Sequence, residues 1–270
     1  MSKNRLGQDS AYPKSYAPES LHGVARADSR SRFLQGDELP FHGEDIWNAW
    51  ELTWLDAGGK PMVATAEIRV SADSARLIES KSLKLYLNSL AMTRFDSSDA
   101  LADLLAGDLS AVADVPVTVS ITLVDDTRRH AIRQLPGECI DGLDSDFSFE
   151  RVDPSFLRVT EGLTRSEELH SHVLRSNCPV TRQPDMGSIL IRYRGRPIDR
   201  SSLLQYLVSY RSHNDFHEAC VERMFMDIRE ACETEQLTVY ARYNRRGGLD
   251  INPFRSDFET RAVNLRLWRQ

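Results

Sequence analysis

The chain has 270 residues, roughly 1.8 domains by ordinary domain size, which leaves one large domain or two small ones. Hydrophobic residues make up 41% and charged residues 27%, with 14 Gly and 11 Pro, a globular composition that excludes a disordered or collagen-like chain. The 34 Lys and Arg against 40 Asp and Glu give a net charge of -6, which argues against a general nucleic-acid binder, and no apolar run is long enough for a membrane span.

Residues 1–32 are polar, carry Pro13 and Pro18, and lack the apolar core of a signal peptide, so they read as a loose N-terminal arm. Strands are expected over 47–56 and 61–70, then helices over Leu83–Phe95 and Ala100–Leu109. Val117, Val119, Ile121 and Leu123 alternate with Thr118, Ser120 and Thr122, the pattern of a half-buried antiparallel strand over 116–125. A further strand is expected over 129–135. Gly137–Pro154, rich in Gly, Asp and Ser, reads as a linker.

The second half repeats the order. Strands are expected over 168–177 and 187–195. Helices follow over Ser201–Tyr210 and Phe216–Cys232, with Ala219, Val221, Met224, Ile228 and Ala231 spaced for one face. Strands then follow over 236–244 and 260–269. Each half reads strand-strand-helix-helix-strand-strand (ββααββ). The expected fold class is therefore α+β: an arm over 1–32, a module over 33–140 and a module over 150–270, each a sheet with two helices on one face. No two glycines stand at i, i+2, so the usual dinucleotide-binding G-x-G-x-x-G cannot occur.

Cys139, Cys178, Cys220 and Cys232 include no C-x-x-C pair and make no disulfide framework, which suits free thiols in a reducing cytoplasm. Four segments combine residues that can do chemistry. In Glu79-Ser80-Lys81-Ser82-Leu83-Lys84, Ser80 or Ser82 can cap a helix whose free N–H groups hold an anion beside Lys81 and Lys84; the same residues also suit a plain capped surface helix. In Cys178 to Asp185, a thiol and a carboxyl share a loop bracketed by Pro179 and Pro184, placed to act as nucleophile and proton donor, or as a structural cysteine and a turn aspartate. Arg175 and Arg182 stand near enough in sequence to favour a thiolate. Phe216-His217-Glu218 opens a helix, where Glu218 serves either the helix dipole or the N–H edge of a guanine-like base. Arg246-Gly247, in a basic turn, suits a phosphate or a hairpin.

Glu79 to Tyr86 resembles the signature of the NADPH-dependent 7-cyano-7-deazaguanine reductases, Glu-Ser-Lys-Ser followed by an apolar residue and a second lysine. The Cys178 loop with Asp185, the His217-Glu218 pair and the Arg246-Gly247 turn follow in that family's order. The chain is similar to the long form, with the signature in the first half and the cysteine and glutamate in the second. The resemblance implies two fused tunnelling-fold (T-fold) modules, a homodimer, and reduction of the free base 7-cyano-7-deazaguanine to 7-aminomethyl-7-deazaguanine with two NADPH, in queuosine biosynthesis. It implies no metal, no flavin and no direct nucleic-acid or membrane partner. Cys178 and Asp185 are then catalytic. Glu79, Ser80, Lys81, Phe216, His217 and Glu218 bind the base, and Lys81, Ser82, Arg246 and Gly247 bind the cofactor.

Two other readings compete. A zinc-dependent GTP cyclohydrolase-like enzyme on the same fold would take ligands from His170, His172, His213, His217 and Cys178. A non-catalytic purine-binding module would keep the fold without turnover.

Overall fold

The computed structural model describes residues 12–34, 36, 38–126 and 130–270. They form two compact units. Residues up to Asp28, Asp45–Ala131 and Arg245–Ile251 make the first, and Ser29–Glu44, Ile132–Asn244 and Asn252–Gln270 make the second. Residues 1–11 of the expected arm, and Arg129 of the expected 129–135 strand, lie outside the described residues.

The part of the arm that is described is built into structure rather than loose. It carries a 3-10 turn at Pro18–Ser20, strand β1 (Gly23–Ala25) and the short helix α1 (Ala27–Arg30). Its anchors are buried ion pairs. Arg26 pairs with Asp45 in the first unit, and Arg30 pairs with Glu222 in the second. Removing a charge from water in this way is tolerated only when it is paired, so polarity along the arm hid its order.

In the first unit, β2 (His42–Leu55) enters from the second unit and turns through Asp56 into β3 (Pro61–Ser71). Then come β4 (Arg76–Ile78), helix α2 (Ser80–Ser89), helix α3 (Ser98–Ala113) and β5 (Val117–Leu123). β5 pairs antiparallel with β3, and β4 pairs antiparallel with β1. Ala64, Ala66, Ile68 and Val70 alternate along β3, so they share one sheet face. They pack with Leu83, Tyr86 and Leu90 of α2 and Leu101, Leu105 and Leu109 of α3 in one core.

In the second unit the order is β6 (Glu138–Cys139), β7 (Arg165–Ser171), β8 (Arg175–Asn177), β9 (Pro184–Gly195), α4 (Arg200–Ser209), α5 (His217–Cys232), β10 (Gln236–Tyr243) and β11 (Leu249–Ser256), whose residues up to Ile251 belong to the first unit. The sheet neighbours run β11-β10-β9-β7-β6, with β8 also on β9. The pairs β7–β9, β8–β9, β9–β10 and β10–β11 are antiparallel; β6–β7 is parallel. Ile189, Ile191 and Tyr193 of β9 pack with Leu203 and Leu207 of α4 and with Val221, Met224 and Ile228 of α5. The class is α+β with antiparallel sheets, as expected.

Three expected strands differ. The 168–177 run is broken, because Asp141 takes the Ser171 hydroxyl (2.6 Å) and the His172 N–H (2.9 Å) and ends β7 there. Between 130 and 135 only Ile132 makes a bridge, to Arg266. The 260–269 run is not a strand, and its Val263 and Trp268 are 73% and 69% exposed. The last strand is instead β11. Gly247 and Gly248 have φ of +60° and +76°, the positive values that a tight type I′ hairpin needs at both central positions. The turn therefore leads straight into Leu249. Asp250, Asn252, Pro253 and Arg255 mask the strand's alternation, yet they are buried and the polar ones are bonded.

Candidate active site

The cysteine loop is held on both sides. β8 and β9 pair through Ser176↔Asp185 and Asn177↔Pro184, leaving Cys178 as the first residue of the connecting loop. The Cys178 N–H donates to the Gln183 carbonyl (2.9 Å), and the Arg182 N–H donates back to the Cys178 carbonyl (3.0 Å). Arg182 takes a left-handed φ of +57° to close the loop. On its other side, the Asn177 N–H donates to the His213 carbonyl (2.8 Å) and its carbonyl accepts from the Asp215 N–H (3.1 Å). That segment leads directly into α5, so the Cys178 loop and the Phe216-His217-Glu218 start of the helix are tied together.

Asp185 opens this constellation to acid–base chemistry. It is buried, and the His217 Nε2 lies 3.3 Å from its Oδ2. The His217 ring stacks on Tyr243 of β10 at 3.7 Å between centroids, with planes 5° apart. Stacking and the Asp185 contact hold the imidazole in one plane. Its Nδ1 is buried and makes no hydrogen bond among the described residues, while the Ser176 hydroxyl lies between the Tyr243 hydroxyl and the Cys220 thiol. Glu218 is also buried, in the first turn of α5.

Asp215, just before α5, is held below the ordinary carboxylate range. Burial alone would raise it, but the His213 ring 3.7 Å away, the Arg32 hydrogen bond and the Arg32 charge outweigh that. It anchors the helix start as a carboxylate and donates nothing.

The four thiols separate cleanly. Cys220 and Cys232 are buried, and burial pushes both up, Cys232 to about 12, so neither is a thiolate at neutral pH. Cys178 is half-buried and Cys139 exposed.

The first unit holds the other group. Glu79, not Ser80 or Ser82, caps α2: its carboxylate accepts from the Lys81 N–H (2.9 Å) and the Ser82 N–H (2.7 Å). The cap position is the extended residue before the first helical one, and that residue is Glu79, with Ser80 opening the helix. The Ser82 hydroxyl donates to the Glu79 carbonyl (2.7 Å) and accepts from the His22 N–H (3.0 Å). The helix start is thus braced by the arm. Lys84, one turn on, lies along the Arg246-Gly247 turn: a Cβ on Gly247 would stand 3.2 Å from its Cε. Arg245 stacks over Trp50 beside the same turn. The structure therefore brings the signature helix and the basic turn together, and this set of cations beside a glycine turn fits a phosphate-bearing cofactor such as NADPH.

The five residues weighed as zinc ligands do not gather. His217 pairs with Asp185, His213 faces Asp215, and His170 and His172 stand together in β7 and the turn after it. Sequence reasoning missed Tyr243, which it placed in a strand with no sign that it would carry the His217 ring, and Ser176, which the β8–β9 register alone brings opposite Asp185.

Two family models match the chain. One, described as "Nitrile reductase, 7-cyano-7-deazaguanine-reductase N-term", covers residues 12–121; the other, described as "QueF-like protein", covers residues 184–262. Among solved structures, one described as "Crystal structure of the archaeosine synthase QueF-Like in the apo form" is similar at 14% identity and a TM-score of 0.32, over 37% of this chain and 99% of that one.

Proposed function

The chain belongs to the nitrile reductase family, and from that premise we propose that it reduces the nitrile of 7-cyano-7-deazaguanine to the primary amine of 7-aminomethyl-7-deazaguanine with two NADPH, on the route to queuosine in tRNA. The observation that carries this reading is the joining of the Cys178 loop, the Asp185–His217 pair and the buried Glu218 at one end of α5.

The chemistry follows from those side chains. The Cys178 thiolate attacks the electrophilic nitrile carbon; a C–S bond forms and one C–N π bond breaks, giving a covalent thioimide. Negative charge builds on the nitrile nitrogen, and Asp185 supplies the proton it needs. His217, 3.3 Å away, orients that carboxyl and returns a proton to it. Glu218 accepts the N–H edge of the pyrimidine ring, with Phe216 and His217 beside it and Glu79 and Ser80 completing the base contacts. Lys81, Ser82, Arg246 and Gly247 hold the cofactor. NADPH, when bound, supplies hydride, one equivalent for each of two reductions. The sulfur leaves after the first, and the resulting imine is kept from water until the second.

Each unit is a T-fold module in this account, the active form is a homodimer, and the protein works in the cytoplasm on the free base without touching tRNA. No metal or flavin takes part in the reduction. The test is direct: folded, reduced protein is mixed with 7-cyano-7-deazaguanine and NADPH, and NADPH absorbance is followed. Loss of two NADPH per nitrile is expected. No substrate-dependent loss would overturn the proposal.

A further inference from the structure

Away from these residues, the second unit holds a cluster that the nitrile chemistry does not use. Among the described residues, one group of three or more metal-ligating side chains converges: Cys139, His170 and His172, whose ligand atoms all lie within 4.8 Å of one another. We infer that these three residues bind a divalent cation of the zinc class and that the ion staples the two-residue strand β6 to the edge of the sheet.

The backbone prepares the arrangement. β6 runs parallel to β7 with Cys139 opposite His170. His172, two residues on, falls on the His170 side of the chain. Gly137 permits this approach, since at its φ of +81° a Cβ would stand 2.2 Å from the Glu168 carbonyl oxygen. Only glycine lets the chain pass so close and set Cys139 in register.

The imidazoles are set up as ligands. The His170 Nδ1 lies 2.9 Å from the Pro136 carbonyl, which can only accept, so Nδ1 carries the hydrogen and Nε2 presents its lone pair. The His172 Nδ1 lies 2.8 Å from the Ser188 hydroxyl, which can accept the Nδ1 hydrogen when Nε2 is the ligand atom. Ring nitrogens bonded to oxygen behind the metal are the usual support for histidine ligands. Asp141 holds the Ser171 hydroxyl and the His172 N–H, and its charge offsets Arg269, which donates to the His172 carbonyl (2.6 Å). One thiolate and two imidazoles suit a borderline-soft ion such as Zn²⁺, with water in the fourth position. The exposed Cys139 leaves the way in open. A parallel pair only two residues long has little hold of its own, and the metal supplies one.

The test uses the full-length, reduced, metal-free protein and Co²⁺ as the probe. One Co²⁺ per chain should bind with a thiolate-to-cobalt charge-transfer band, and Zn²⁺ should displace it and raise the Tm. Cys139→Ser should remove the band and the Tm response, and His172→Ala should weaken binding at least about tenfold. Cys178→Ala should keep all of them. No charge-transfer band in the wild type, a band that survives Cys139→Ser, or a band lost with Cys178→Ala would each overturn the inference. None of these readouts depends on nitrile reduction, so the two proposals fail separately.

Discussion

The start of α2 in the first unit and the start of α5 in the second are built from similar residue types and treat them oppositely. At α2, Glu79 spends its carboxylate on two backbone N–H groups, and Ser82 spends its hydroxyl on Glu79 and His22. At α5, Phe216 makes no side-chain cap, and among the described residues the buried His217 Nδ1 makes no hydrogen bond. A polar side chain bonded to its own backbone stabilises the fold; one buried and unpaired costs about 1–3 kcal/mol until something binds it. The second helix start therefore leaves the His217 imidazole only partly committed to the fold, while the first is chiefly a rigid platform for Lys84 and the Arg246-Gly247 turn.

Substitutions can break that contrast. The largest effect is expected at the start of α5: Asp185→Asn should lower kcat by about a hundredfold to ten-thousandfold with little change in Tm, read from NADPH turnover and thermal melts. Next comes Glu222, which α5 buries between Arg30 and Arg255 with contacts of 2.7 and 2.8 Å. Glu222→Ala leaves two cations without their partner and should cost about 3–5 kcal/mol in denaturant unfolding. At the platform, Glu79→Ala uncaps α2 and should cost about 1–2 kcal/mol. If Glu79 also contacts the base, KM rises as well, and a normal KM would confine it to capping. The smallest effect is in pH. Because Asp215 sits below its ordinary value in the folded protein, its stabilisation is complete above the unfolded carboxylate range and is lost as pH falls through the lowered folded value. Asp215→Asn should flatten that acid limb in a stability-against-pH series and leave the curve above neutral pH unchanged in shape.

How far the sequence could be read follows from where the information lay. Alternation exposed β5 and β10, because each has one face in a core. It failed for β11, whose Asp250, Asn252 and Arg255 are buried polar residues satisfied by partners on other elements. It also misled at 260–269, where alternating apolar residues find no strand to pair with. The ordered arm was hidden for the same reason as β11: Arg26 and Arg30 look like solvent residues until Asp45 and Glu222 are placed beside them. Of the candidate site, Cys178, Asp185, His217 and Glu218 were visible as residue types in motifs. That Asp185 meets His217, that Tyr243 carries the His217 ring, and that Glu79 rather than a serine caps α2 depended on register and on the helix boundary, which local spacing does not encode.

The central claim is that Cys178 is the nucleophile toward a nitrile. Intact-mass measurement of the reduced protein incubated with 7-cyano-7-deazaguanine and no NADPH tests it most directly. One substrate mass should add to the wild type and none to Cys178→Ala. No adduct on the wild type, or one that persists in Cys178→Ala, would contradict it.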